Sequence, residues 1–342
     1  MSRRFFLSLS ILGASFVPTG SWAAVTPSFS DVPENHPVFG AVEYLKEKAI
    51  LRGYDDGTFK PDNFVNRAEA VKIIVSSVVA QDTLDSFKTT TVYGDIPSDA
   101  WFAKYVEHAR QTLGIIDGPP KKTAFYGAHP VKKAEFFKML LLARKIDVVS
   151  SFNDLQGPLS TDVRDTQEWL YPYMRYALAA SMTMADEVGL LHPGKELTRG
   201  ELALILFRLE MYQQTRRTQA LLSETETEIA NVLKLLEVKE ADRAFTASNR
   251  ALIAARGALA SKPDEAIVKG AVKTAEGFQT LVRAYQAGID GKLNDVLQLT
   301  SDAWHLAEKA KAFAPSLDTL AIQMQSVAKN MADEARGLMK KT

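Results

Sequence analysis

The chain of 342 residues contains no cysteine. Disulfide bonds, thiolate metal sites, a cysteine nucleophile and a lipid-modified cysteine anchor are therefore excluded. It also has no net charge, since 41 basic side chains balance 41 acidic ones, so the strongly basic surface of a nucleic-acid-binding protein is absent. Beyond the N-terminal segment, no stretch has the length and apolar content of a membrane-spanning helix.

Motifs that carry catalysis or bind metals are missing as well. The histidines are not paired at the spacing of a helical metal site, and His36, His129 and His192 each precede proline, which favours loops. No nucleophile elbow, phosphate-binding loop or H-E-x-x-H motif occurs. The pair Asp55 and Asp56 lies in a glycine-rich loop that lacks the alternating ligands of a calcium site. The sequence predicts no enzyme, no cofactor and no metal site.

The N-terminus has the pattern of an export signal. Arg3 and Arg4 form a charged start, and residues 5–17 are an apolar run too short to span a bilayer. Ser21 and Ala23 then offer small side chains just before a cleavage point. We therefore predict a signal peptide over residues 1–23 and an exported protein. A twin-arginine signal is the alternative, although the very short charged segment favours an ordinary secretory signal.

A short motif that opens an apolar helical run recurs every 66 residues. Its three copies are Val65-Asn66-Arg67-Ala68-Glu69, Val131-Lys132-Lys133-Ala134-Glu135 and Leu197-Thr198-Arg199-Gly200-Glu201. A fixed period predicts a repeat architecture. The carboxylate in each copy suits the positive end of a helix dipole. The cation two residues earlier does not, which indicates a role outside helix stability.

Two further motifs precede the first copy. They are Phe29-x-Asp31-Val32 and Gly53-Tyr54-x-Asp56-Gly57-Thr58-Phe59-x-Pro61. Together with the recurring motif, in this order, they resemble an S-layer homology repeat. The second copy opens at Tyr93-Gly94-Asp95 and the third at Phe152-Asn153-Asp154, and both match less closely. The resemblance predicts three tandem repeats, at residues 27–82, 91–148 and 150–212.

The resemblance implies an all-α, pseudo-threefold domain of helix–loop–helix prongs. Its family binds secondary cell-wall polymers, often pyruvylated glycans, in grooves between the prongs. A cation beside helix N–H groups suits a ligand carboxylate. By motif position, glycan contacts are implied for Asn66, Arg67, Lys133, Thr198, Arg199, Trp101 and Trp169. Structural or capping roles are implied for Asp31, Asp95, Asp154, Gly53, Gly57, Glu69, Glu135 and Glu201.

Alternatives remain for several of these residues. Arg67 and Glu69 could form an internal ion pair that only stabilises the repeat. Trp101 and Trp169 each lie in an apolar helical stretch, which favours the core over a sugar-stacking surface. Lys133 keeps the positive charge but lacks the two-pronged geometry of arginine, which predicts a weaker groove.

Residues 215–342 have a different character, with more alanine and fewer aromatic side chains. Their periodicity predicts helices from about 215 to 261, 264 to 289, 292 to 314 and 317 to 340, with short connections. Short connections favour an antiparallel helical bundle over a fibrous coiled coil.

Two functions fit this organisation. In the first, the chain is a non-catalytic envelope protein that binds an anionic wall polysaccharide, or a peptidoglycan-linked polymer, and anchors its bundle to the cell surface. In the second, the repeats only dock the chain, while residues 215–342 bind a protein partner or self-associate as a structural tether.

Overall fold

The structure, a computed structural model, describes residues 27–86, 91–97, 99–118 and 121–340. In those ranges it consists of α-helices, loops, one short 3-10 helix and isolated β-bridges, so the all-α prediction is confirmed. None of the helices described there is both long and apolar enough to span a membrane. The signal peptide predicted over residues 1–23 lies outside the described residues.

Three helices in the N-terminal part of the chain begin at the recurring motif, although they lie far apart in the sequence. Its helices are α1 (Phe39–Glu47), α2 (Arg67–Ser76), α3 (Gln81–Ser86), α4 (Ala103–Gln111), α5 (Lys133–Ala143), α6 (Tyr171–Ala179) and α7 (Arg199–Gln213). The motif helices α2, α5 and α7 each begin at the cation, as predicted. Their apolar faces lie in one continuous core.

A closed ring of backbone hydrogen bonds joins the starts of these three helices. The amide of Val65 donates to the carbonyl of Leu197 (2.9 Å), that of Leu197 to Val131 (3.0 Å), and that of Val131 to Val65 (2.9 Å). All three side chains are fully buried. Because each residue donates to one neighbour and accepts from the other, the three helix starts are joined in a closed cycle.

The C-terminal part is a bundle of long helices that pack against their neighbours in sequence. They are α8 (Thr218–Glu237), α9 (Ala241–Ser261), α10 (Ala266–Ile289), α11 (Leu293–Phe313) and α12 (Asp318–Met339). The prediction of one helix from 215 to 261 was wrong. The chain reverses at residues 238–240, where Lys239 adopts a left-handed conformation (φ 64°). Neither glycine nor proline marks this turn, so no residue in the sequence indicates it.

The two parts of the chain share a tightly packed seam between α6 and α9. A Cβ atom on Gly257 would lie only 1.8 Å from the carbonyl oxygen of Ala179, so the helices can approach this closely only at glycine. Tyr212 donates its hydroxyl to the carbonyl of Gly257 (3.3 Å). Arg250 of α9 reaches across to the carbonyl of Leu159 (3.0 Å). These contacts fix the bundle against the N-terminal part.

Candidate functional site

The loops that precede the motif helices are held by aspartates. Asp31 accepts hydrogen bonds from the amides of Phe59 and Lys60, both at 2.7 Å. Asp95 accepts equivalent bonds from Phe125 (2.8 Å) and Tyr126 (2.7 Å). The second amide in each pair belongs to a residue with positive φ, so the carboxylate fixes a strained loop.

In the third loop this position belongs to Asp162 rather than to the predicted Asp154. Asp162 accepts from the amides of Leu191 (3.0 Å) and His192 (2.7 Å). Asp154 is half-exposed and pairs with Arg256 of α9 at 2.7 Å, so its assignment to the loop was wrong. The insertion that precedes Asp162 separates it from the opening motif, which is why motif order alone selected Asp154.

We expect Asp162→Ala to lower the free energy of unfolding by about 1–3 kcal/mol, because the amides of Leu191 and His192 lose their charged acceptor. Asp154→Ala, the matched control, should cost about 1 kcal/mol or less, since its ion pair is exposed. Burial opposes ionisation of Asp162, but the Leu191 amide, the Ser160 hydroxyl and the His192 amide outweigh it and hold its pKa below the usual value. The stabilisation should therefore be present above about pH 4 and disappear as the pH falls further. Urea unfolding of both variants at neutral and acid pH measures this, and equal losses would refute the reassignment.

Both glycines of the first loop are required by its geometry. A Cβ atom on Gly53 would lie 2.1 Å from the Phe29 ring and 2.7 Å from the carbonyl of Thr58. Gly57 has φ of 78°, a left-handed conformation that side chains rarely adopt. Gly53 allows the loop to lie against the Phe29 ring, and the adjacent Tyr54 ring lies beside Arg199 at the start of α7.

The amides that open the motif helices are already engaged. Those of Arg67, Lys133 and Arg199 donate to the carbonyl groups of His129 (2.8 Å), Lys195 (2.8 Å) and Asn63 (2.9 Å). These three amides are therefore not available to a ligand. The predicted convergence of helix N–H groups and a cation on one ligand stays a prediction for the remaining amides of each helix start.

Capping side chains complete two of the three helix starts. Asn66 accepts from the amide of Glu69 (2.9 Å), and the Glu69 carboxylate accepts from the amide of Asn66 (3.0 Å). Thr198 and Glu201 form the same reciprocal capping box. The glycan contacts implied for Asn66 and Thr198 stay predictions, with one oxygen of each side chain engaged as a cap. Glu69 caps its own helix instead of pairing with Arg67.

Arg199 lies in a cleft of about 680 Å³, which we call the first groove. Its other lining side chains include Arg52, Tyr54, Glu69, Lys72 and Trp101. The volume falls in the range of small-molecule sites. Gly53 also lines this cleft, so the backbone of the first loop borders it directly.

The guanidinium of Arg199 is held in place by aromatic rings and carbonyl groups. Its central carbon lies 4.8 Å from the Tyr54 ring centre and 4.7 Å from that of Phe59. Its Nε donates to the carbonyl of Phe59 (2.9 Å) and one terminal nitrogen to that of Arg52 (3.1 Å). Within the described residues no carboxylate forms an ion pair with it. The guanidinium therefore keeps its full positive charge, and its remaining N–H groups can donate hydrogen bonds to an anion.

Arg67 lies in a second groove, a cleft of about 410 Å³. Its guanidinium is 5.3 Å from the Phe125 ring centre. Unlike Arg199, it has a carboxylate beside it: one terminal nitrogen is 3.5 Å from an oxygen of Glu135. The positive charge of this groove is thus partly neutralised within the chain.

Lys133 occupies the third equivalent position, and its ammonium group is turned inward. Its Nζ donates to the carbonyl of Leu191 at 2.8 Å. Burial lowers its pKa, an effect that the nearby Glu201 carboxylate opposes. This half-buried ammonium links the start of α5 to the third loop through its hydrogen bond with Leu191. The arrangement agrees with the prediction that a groove at Lys133 binds a ligand more weakly.

The expectation that Trp101 and Trp169 belong to the core was wrong. Trp101 is 54% exposed and Trp169 is 51% exposed, because each precedes its helix by two residues and lies outside the packed face. Lys72 lies over the Trp101 ring (5.2 Å) and Lys138 over the Trp169 ring (5.4 Å). These two lysines were missed from the sequence, although they share the 66-residue spacing of the motif cations.

Residues 28–71 match the family described as S-layer homology domain. The chain is 31% identical over 142 residues to the S-layer protein EA1 of Bacillus anthracis, covering 39% of this chain and 15% of that protein. It is 28% identical over 167 residues to a cellulosome-anchoring protein of Acetivibrio thermocellus, covering 48% and 34% respectively. An amylopullulanase of Thermoanaerobacterium thermosulfurigenes matches at 23% over 185 residues, which is 9% of that enzyme. The chain thus spans a small part of these relatives. The family match reaches the first repeat, and the assignment of the second and third copies stays a prediction.

Proposed function

Because residues 28–71 form an S-layer homology domain, we propose that this chain is a non-catalytic anchoring protein of the cell envelope. It is exported and held at the cell surface by an anionic secondary wall polysaccharide, of which a pyruvylated glycan is the type implied by the resemblance. Residues 27–212 form three such repeats, and the helical bundle that follows is the anchored part.

The observation that carries this proposal is the state of the groove cation. Arg199 is fixed by two rings and two carbonyl groups, yet no carboxylate of the described chain neutralises it. A guanidinium binds a carboxylate through two charge-assisted hydrogen bonds. An acidic sugar substituent is the chemistry that this arrangement fits, and the exposed Trp101 ring on the same cleft suits the apolar face of a sugar.

Anchoring, rather than catalysis, is also consistent with the relatives. Two of those above are named for the S-layer and for anchoring, and the match to the one named enzyme covers a small fraction of it. In the second candidate function, residues 215–342 bind a protein partner or a second copy of this chain. The seam at Gly257 favours this role, since a rigidly held bundle presents its outer helices in a fixed orientation.

Sedimentation with purified wall sacculi tests the proposed function. The full-length mature chain is the appropriate sample, because a truncation at residue 215 would expose the apolar seam. We expect it to sediment with intact sacculi and to remain in solution with sacculi whose secondary polysaccharide has been stripped by acid. Equal sedimentation with both would show that the polysaccharide is not the ligand.

A further inference from the structure

The first groove carries a net positive charge, whereas the charges of the second groove balance. Three cations line the first groove against a single carboxylate, and these residues are Arg52, Lys72, Arg199 and Glu69. The second groove has as many carboxylates as cations, in addition to His129, and these residues are Arg67, Lys122, Lys132, Asp117, Glu135 and Glu196. An anionic ligand therefore gains net attraction in the first groove alone.

The difference between the grooves begins with the residue that caps each helix. In α2 and α7 the glutamate of the motif accepts a hydrogen bond from the cap residue, which holds its carboxylate against its own helix. The cap position of α5 is Lys132, whose side chain has no acceptor and forms no cap. No reciprocal capping box is present there, and Glu135 reaches Arg67 of the neighbouring repeat instead.

We propose that the first groove is the anion-binding groove of this chain, and that Glu135 acts as a built-in competitor that keeps anions away from Arg67. This rests on the proposed function and adds which groove performs it. Glu135 determines specificity by charge: a ligand carboxylate entering the second groove must displace a carboxylate that is already 3.5 Å from the guanidinium. At the third equivalent position the ammonium of Lys133 is engaged within the chain, because it donates to the Leu191 carbonyl.

Arg199 and Arg67 therefore have different roles. Arg199 acts on the ligand, whereas the guanidinium of Arg67 interacts within the chain with Glu135 and the Phe125 ring. A ligand bound in the first groove meets Arg199 together with Lys72, which lies over the Trp101 ring at the same cleft. Removing Arg67 should then leave ligand affinity almost unchanged.

A gain of function tests this assignment. We expect Arg199→Ala to weaken sacculus binding of the full-length chain about tenfold, and Arg67→Ala to change it less than about twofold. Adding Glu135→Gln to Arg199→Ala should restore affinity about three- to fivefold. The substitution releases Arg67 from an exposed ion pair, and losing such a pair changes an equilibrium constant by about that factor. The substitution removes no capping bond, since α5 has none.

Glu201→Gln in the same Arg199→Ala background is the matched control. It removes the same charge from the equivalent motif position, but Glu201 is bound to the amide of Thr198 and to Lys195 rather than to a groove arginine. We expect no recovery from it. Equal recovery in both double variants, equal losses in Arg67→Ala and Arg199→Ala, or no recovery with Glu135→Gln would each refute the groove assignment. Failure of the unaltered chain to bind sacculi would instead refute the anchoring function. Melting temperatures of all variants identify losses that come from unfolding.

Discussion

Replacement of Arg250 by alanine is expected to lower the free energy of unfolding by about 3–5 kcal/mol, because it leaves a buried carboxylate without its partner. Arg250 and Glu228 form a two-pronged ion pair, with Nε to Oε1 at 2.6 Å and Nη2 to Oε2 at 2.8 Å. Their side chains are 5% and 4% exposed. The same arginine donates to the carbonyl of Leu159, so the substitution also removes one of the contacts between the two parts of the chain.

Arg256 provides a matched control on the same helix. It pairs with Asp154, as Arg250 pairs with Glu228, but its side chain is 32% exposed and that of Asp154 is 53% exposed. Arg256→Ala should cost about 1 kcal/mol or less. Chemical denaturation of both variants gives the comparison, and a similar cost for the two would contradict a structural role for the buried pair.

Substitutions of Arg199 should produce the largest effects on ligand binding. Two charge-assisted hydrogen bonds contribute roughly 1.5–3 kcal/mol each, so Arg199→Ala should weaken binding about tenfold or more. Arg199→Lys keeps the charge but cannot form both bonds in one plane, and we expect an intermediate affinity. Because an ion pair with the ligand is lost, binding by the alanine variant should also depend less on ionic strength.

The bonds that Arg199 makes within the chain require a stability measurement beside the binding one. Its contacts with Phe59, Tyr54 and the carbonyl of Arg52 would be lost as well. If Arg199 had only a structural role, the lysine variant would melt lower in proportion to its loss of binding. Unchanged affinity in a well-folded alanine variant would exclude the ligand role altogether.

Much of the N-terminal architecture could be predicted, because the repeat supplied the same signal three times. The starts of α2, α5 and α7 followed from residues at a constant spacing, and the loop functions of Gly53, Gly57, Asp31 and Asp95 followed from motif position. Features without a repeated signal were missed. At the turn of residues 238–240 the left-handed conformation is adopted by a lysine. A glycine or proline there would have predicted the turn, and neither is present.

Other misses came from contacts between residues far apart in sequence, which no local pattern contains. Glu135 has the same motif position as Glu69 and Glu201, and only the structure shows that it contacts Arg67 at the start of α2. The signal that could have indicated this is Lys132, since a lysine cannot cap a helix with a side-chain acceptor. The exposure of Trp101 and Trp169 was missed because an apolar neighbourhood in sequence does not fix the side on which a residue before a helix lies.

Calorimetric titration of the full-length mature chain with purified wall polysaccharide tests most directly whether the first groove binds an anionic sugar. The comparison is with the same polysaccharide after its carboxyl groups have been reduced to alcohols. We expect saturable binding of the native polymer, and an affinity for the reduced polymer that is lower by about tenfold or more, since the partner of the Arg199 guanidinium is gone. Equal affinity for the two polymers would contradict the account.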